Sequence, residues 1–181
     1  GAFFNGEQFG LCHIGDSRGY LLRGDELTQL THDHSWVQSL IDEGKITPQQ
    51  ATVHPHRSLI LKVLNGRMDF EPDLEILDAH LGDRIMFCSD GLSGMIDDVA
   101  IRVILSNPDL GAAVEALAQA ANAAGGHDNI TIVAAEVVAQ DDALDALPAV
   151  MVGSATEVAI PRTGELGPSR GGTGPHAPYP A

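Results

Sequence analysis

Alternating and blocked apolar positions divide residues 1–139 into strand-like and helix-like stretches. Gln8-Phe9-Gly10-Leu11-Cys12-His13-Ile14 reads as a strand, followed by Gly19-Tyr20-Leu21-Leu22-Arg23, a Gly24-Asp25 turn and Glu26-Leu27-Thr28-Gln29-Leu30. This is the pattern of a β-meander. A short amphipathic helix comes next, with Asp33 or Ser35 as its cap, Trp36, Val37, Leu40 and Ile41 on one face, and Gly44 past its end. Thr47-Pro48-Gln49-Gln50 opens a second brief helix with a capping-box pattern and a Pro at its first position. Leu59 to Leu64, the stretch around Leu74 and Ile76, and Arg84 to Cys88 read as further strands. Asp97 or Asp98 caps a helix carrying Val99, Ile101, Ile104 and Leu105, and Asp109 caps a longer one that Gly125-Gly126 stops. Asn129 to Val138 is continuously apolar enough to suggest a buried central strand.

From Gln140 onward the composition shifts to Ala, Gly, Pro, Ser and Thr. Residues 161–181 hold too few apolar anchors to offset their ordering entropy, so a disordered tail is expected over 140–181. The 181-residue length and 44% hydrophobic content suit one domain with a core plus that tail. A net charge of −15 argues against nucleic acid or an anionic membrane as partner, because both need a basic face. No stretch approaches the roughly 20 apolar residues of a membrane-spanning helix. Cys12 and Cys88 both lie in apolar runs, where a free thiol packs as a small hydrophobe, and a reducing cytoplasm fits such usage. The chain opens on Gly1 and enters a strand almost at once, which reads as a fragment whose beginning is missing.

Three acidic motifs sit where apolar stretches give way to turns: Gly15-Asp16-Ser17-Arg18, Cys88-Ser89-Asp90-Gly91-Leu92 and Gly125-Gly126-His127-Asp128-Asn129. Singly, an Asp beside Gly is turn chemistry. Together they suggest strand ends converging on a dispersed metal site, and oxygen donors favour Mg²⁺ or Mn²⁺ over Zn²⁺.

In order along the chain, these motifs resemble the type 2C, metal-dependent protein serine/threonine phosphatases, in particular the bacterial branch. The likeness spans Phe9 to Val138. It is carried by Gly15-Asp16-Ser17-Arg18, Val37-Gln38-Ser39-Leu40, Gly44-Lys45-Ile46-Thr47, His54-Pro55, Arg57-Ser58, Gly82-Asp83-Arg84, Ser89-Asp90-Gly91-Leu92 and Asp128-Asn129-Ile130-Thr131. The resemblance implies an α+β fold, a four-layer α-β-β-α sandwich of two antiparallel sheets flanked by helices, of which the N-terminal part is missing here. It implies a partial catalytic domain over 1–139, with a flap at about 33–57. It assigns Asp90 and Asp128 to the second catalytic metal, and Asp16 and Ser58, with Asp90, to a third. Gly91, Asn129 and His127 would then support these ligands.

The activity implied is hydrolysis of phosphoserine and phosphothreonine on proteins by a metal-activated water, with two Mn²⁺ or Mg²⁺ ions and a third in bacterial members. Its substrates would be phosphoproteins, among them Ser/Thr kinases and their targets, in the cytoplasm. A general kinase antagonist fits the flap and tail better than a stimulus-response phosphatase acting on an anti-sigma antagonist. The family's amino-terminal Arg and its Asp-Gly-x-Gly-Gly stretch, whose Asp bridges the metals, are absent. A catalytically inactive, phosphatase-like binding or regulatory module is therefore the alternative. All three carboxylates that can be checked are nonetheless present, which leans toward the enzyme. Missing strands would also leave apolar sheet surface exposed, predicting self-association.

The histidines of His32-Asp33-His34 and His54-Pro55-His56 invite a zinc reading. They lack third and fourth ligands at recognisable spacing. Asp97-Asp98 reads as helix capping, and Trp36 as a core or flap-packing anchor.

Overall fold

The structure, a computed structural model, describes residues 1–64 and 71–139. The tail expected over 140–181 lies outside the described residues. Among the described residues, seven strands, β1 (Ala2–Phe4), β2 (Gln8–His13), β3 (Arg18–Arg23), β4 (Glu26–Gln29), β5 (Asp73–Asp78), β6 (Arg84–Cys88) and β7 (Ile132–Glu136), make two antiparallel sheets. One has the order β1-β2-β5 and the other β4-β3-β6-β7. Five helices accompany them: α1 (Trp36–Asp42), α2 (Pro48–Thr52), α3 (Asp90–Ser93), α4 (Asp98–Leu105) and α5 (Leu110–Ala123).

Period-2 alternation in β2, β3 and β6 sets the layers. Phe9 and Leu11 pack against Ile85 between the sheets, with Leu77 and Phe87 at their margin. The opposite face of the four-stranded sheet presents Tyr20, Leu22, Met86 and Cys88, which pack against Leu92, Ile101, Leu105 and Leu117 of α3, α4 and α5. Two antiparallel sheets flanked by helices are therefore the architecture, as expected. On the outer face of the three-stranded sheet, Phe3, Leu74 and Ile76 are exposed.

The caps resolve the choices that the sequence left open. Ser35, not Asp33, caps α1 by accepting from the Gln38 N–H, and the Thr47/Gln50 capping box opens α2. Asp97, not Asp98, caps α4, and Asp109 caps α5.

Several expectations require correction. Residues 59–64 form no strand. Leu61 N–H and Leu59 C=O are taken by His34 and Trp36 in a single isolated bridge around Ser35 and Ile60, so the run lacks a ladder and stays exposed. The strand expected around Leu74 and Ile76 is present as β5, and pairing of Leu77 with Phe9 places Leu77 inward and those two residues outward. β7 lies at the edge of its sheet rather than the centre, with Val133 exposed. Cys12 shares the outward register with Leu74 and is exposed, whereas Cys88 is buried, and burial pushes its thiol up to about 11. Trp36 is 39% exposed at the start of α1, not a core anchor.

Gly82-Asp83-Arg84 serves the fold. Asp83 is buried in the β5–β6 turn and accepts from Arg23 Nε at 2.8 Å, Arg23 Nη2 at 2.7 Å and the His80 N–H at 2.8 Å. The bond from Arg23, opposed by burial and aided by the His80 N–H, holds its carboxyl below the usual range. With the folded value depressed, this stabilisation is present above the unfolded Asp value and lost as pH falls through the folded one. Because Arg23 is 41% exposed, Asp83→Asn should cost about 2 kcal/mol rather than the ~3–5 of breaking a fully buried pair. Urea titrations at pH 7 and pH 3 should show the difference between the two proteins shrinking at the lower pH. A constant difference would exclude the carboxylate as its source.

Candidate metal centre

Three turns at the ends of β2, β6 and α5 bring the acidic motifs to one side of the molecule. Asp16 lies in the β2–β3 connection, Asp90 opens α3 directly after β6, and Asp128 lies between α5 and β7. Asp16, Asp90 and Asp128 line one cleft of about 830 Å³ together with Ser58, which comes from the segment after α2. Gly91 and His127 also line it, whereas Asn129 contributes through its backbone. α1 and α2 line the cleft through Val37, Ile41 and Ala51, and Met95, Ile96 and Val99 line it from the end of α3 into α4.

Asp90 and Asp128 are exposed, while Asp16 is half-buried. Burial first, and the Asp90 carboxylate next, hold the Asp16 carboxyl above its ordinary range. A carboxyl held up in this way by burial and a neighbouring carboxylate is relieved by a cation, and all the donors are hard oxygens, so the residues fit Mg²⁺ or Mn²⁺. Among the described residues, no three His, Cys, Asp or Glu side chains converge as a preformed cage.

The Asp90 and Asp128 turns are stapled together. Ser89 Oγ donates to Asn129 C=O at 2.8 Å and accepts from the Thr131 N–H at 3.1 Å, and Ser89 N–H donates to Thr131 C=O at 3.1 Å. Gly91 permits the approach: a Cβ there would stand 2.4 Å from the Asn129 carbonyl oxygen. Asp128 Oδ1 accepts from the following Asn129 N–H at 2.7 Å, which orients its carboxylate. The exposed His127 ring packs against the backbone of Gly125.

A polar network in the cleft wall was not read from the sequence. Arg18 Nε donates to both Asp33 oxygens at 3.1 Å and Nη2 to Oδ2 at 2.8 Å, while Gln29 Nε2 donates to Asp33 Oδ1 at 3.2 Å. Arg18 Nη1 donates to Tyr20 Oη at 3.4 Å, and Tyr20 in turn donates to Asp98 Oδ1 at 3.1 Å. Burial raises the Tyr20 phenol, keeping it a donor. Asp33 is thus the partner of Arg18, and Asp98 ties the start of α4 to β3. An available signal was the alternation of β3, which places Arg18 and Tyr20 on one face.

No family model matches the chain. It is 49% identical over 138 residues to the serine/threonine protein phosphatase PstP of Mycobacterium tuberculosis, covering 76% of this chain and 27% of that protein. It is 41% identical over 122 residues to protein phosphatase PhpP of Streptococcus pneumoniae, covering 67% of this chain and 50% of that protein. The crystal structure of the PstP catalytic domain in complex with two manganese ions matches with a TM-score of 0.70 at 46% identity, over 76% of this chain and 57% of that one. The chain's close homologues are bacterial PPM-type serine/threonine phosphatases, and it covers part of their catalytic domain. It spans half or less of the length of these two relatives.

Proposed function

We propose that this chain supplies the Asp16, Ser58, Asp90 and Asp128 side of a metal-dependent protein serine/threonine phosphatase centre, acting on phosphoserine and phosphothreonine in proteins. The observation that carries this reading is the assembly of those four residues, from four separate segments, on one cleft. Asp90 and Asp128 would hold the second metal, and Asp16, Ser58 and Asp90 a third, with Mn²⁺ or Mg²⁺ as the ion. Such cations supply a nucleophilic water and neutralise charge on the transferring phosphoryl group.

The chain's own residues bind and orient. The three carboxylates act as ligands rather than general bases. The Ser89 staple holds two of them in register, and Arg18 is engaged by Asp33 as part of the cleft wall. α1 and α2, within the proposed 33–57 flap, form the wall across which a phosphoprotein segment enters. Ser/Thr kinases and their targets are the proposed substrates, and the cytoplasm is the proposed location. No helix among the described residues is long and apolar enough to cross a membrane.

The second reading, a non-catalytic phosphatase-like binding module, rests on the lack of a preformed cage among the described residues. Hydrolysis of a phosphothreonine peptide should separate the two readings. The assay compares the chain alone with the chain fused to the part of the PstP catalytic domain that it does not match, each with and without Mn²⁺. Mn²⁺-dependent turnover is expected in the fusion. No turnover in either form, with intact folding, would favour the binding module.

A further inference from the structure

His34 is the residue of the His32-Asp33-His34 motif that neither the metal reading nor helix capping absorbs. It is 7% exposed, and both backbone polar groups of Gly15 go to it. The Gly15 N–H donates to His34 Nδ1 at 3.2 Å, and the His34 N–H donates to Gly15 C=O at 2.8 Å. Gly15 has φ +107°, a conformation that side chains rarely adopt, and its neighbour in sequence is Asp16. With Nδ1 accepting, Nε2 carries the proton and donates to Asp73 Oδ2 at 3.0 Å, while Lys62 Nζ stands 3.5 Å from the other oxygen of that carboxylate and 3.1 Å from Nε2. The His13 ring stacks on His34 at 5.0 Å, anchored by its own Nε2 on the His32 carbonyl at 3.0 Å. His34 C=O accepts from the Leu61 N–H at 2.7 Å, and Ser35 beside it caps α1.

One side chain therefore joins β5 to the Asp16 turn, and its backbone joins that turn to the root of α1. We infer that His34 is a positioning residue for Asp16: through Nδ1 it fixes the left-handed Gly15 turn that aims the Asp16 carboxylate into the cleft beside Asp90. This rests on the proposed metal reading of that cleft. The imidazole does not touch the metal; it orders the peptide that carries a ligand. Supporting groups of this kind commonly change metal affinity by roughly 10–100-fold.

The two ring nitrogens can be tested separately in the chain itself, with Mn²⁺ alone as probe in isothermal titration calorimetry. His34→Asn offers an amide oxygen near the Nδ1 position and loses the Asp73 bond. His34→Gln reaches the Nε2 position and loses the Gly15 bond. Each removes one buried hydrogen bond, so thermal unfolding should report similar losses for both. Mn²⁺ affinity should differ: we expect His34→Gln to weaken it about tenfold, toward the value of Asp16→Asn, with His34→Asn close to the unsubstituted chain. Equal affinities for the two variants, or a weaker His34→Asn, would overturn the inference while leaving the metal centre standing. The metal reading is checked independently by Asp90→Asn. If that variant binds Mn²⁺ as the unsubstituted chain does, or if the unsubstituted chain binds none, the reading falls and the role of His34 falls with it.

Discussion

Asp90→Asn is expected to reduce Mn²⁺-dependent phosphopeptide hydrolysis by the completed domain to background while leaving the fold intact, and Gly91→Ala should come close to it without removing any ligand. The Asp90 carboxylate is exposed at the start of α3 and, among the described residues, makes no side-chain hydrogen bond that its loss would break. Replacing one oxygen by an amide removes charge and a donor oxygen from the centre at little structural cost. Gly91 acts through distance. An alanine Cβ would meet the Asn129 carbonyl oxygen at 2.4 Å and its carbon at 2.9 Å, both backbone atoms that no side-chain rotation can move aside. The turn carrying Asp128 must retreat from α3, breaking the Ser89 bonds to Asn129 and Thr131. Overpacking of this kind costs about 1–3 kcal/mol in stability. The larger effect is on the two turns that carry the proposed ligands, where displacement should weaken Mn²⁺ by roughly 10–100-fold. Calorimetric Mn²⁺ titration and peptide turnover, with thermal unfolding in parallel, distinguish the two variants: Asp90→Asn should melt like the unsubstituted chain and Gly91→Ala below it. Ser58→Ala should change metal dependence more mildly. Full activity in Asp90→Asn would sink the site assignment.

The sequence carried those parts of the fold that are set by neighbours a few residues away. The alternation of Phe9, Leu11 and His13 marked β2 and the core face it presents, and Ser35, Thr47, Asp97 and Asp109 each cap a helix whose start was readable. What remained illegible depends on partners far along the chain. The apolar run 59–64 has strand composition, but strands exist only where a second backbone accepts their hydrogen bonds, and here one bridge to 34–36 supplies the whole pairing. β7 is apolar enough for a central position, but its sheet order places it at the edge.

At the site, the motifs pointed to Asp16, Asp90 and Asp128 because acidic residues beside glycine at strand ends form a local pattern. Ser89 stands at the N-cap position of α3, directly before Asp90. Its hydroxyl instead serves Asn129 and Thr131, about 40 residues away, leaving α3 without a side-chain cap. Arg18 with Asp33, and Tyr20 with Asp98, are likewise pairs that only the folded register brings together.

Arg84→Ala should destabilise the fold by about 3–5 kcal/mol. Arg84 is 9% exposed and spends its guanidinium on four acceptors. Nε donates to Glu136 Oε2 at 2.7 Å, Nη1 to the carbonyls of Leu105, at 2.6 Å, and Asn107, and Nη2 to that of Pro108 at 3.1 Å. Three of these are carbonyls at and beyond the end of α4, where a helix has no internal donors left to offer. Truncation strands those carbonyls and leaves the Glu136 carboxylate without its partner.

Glu136→Gln provides the comparison, since an amide oxygen still accepts from Nε and Glu136 is one-third exposed; it should cost less than about 1 kcal/mol. The consequence also reaches the cleft. Arg84 holds the end of α4, whose first residue, Asp98, accepts the Tyr20 hydroxyl that adjoins Arg18. A helix freed at one end tilts at the other, so Mn²⁺ affinity should fall in Arg84→Ala and hold in Glu136→Gln. Urea unfolding of the three proteins, followed by Mn²⁺ titration under conditions where each is folded, measures both effects. A loss below about 1 kcal/mol for Arg84→Ala would mean that water satisfies those carbonyls and that the α4–α5 connection holds itself.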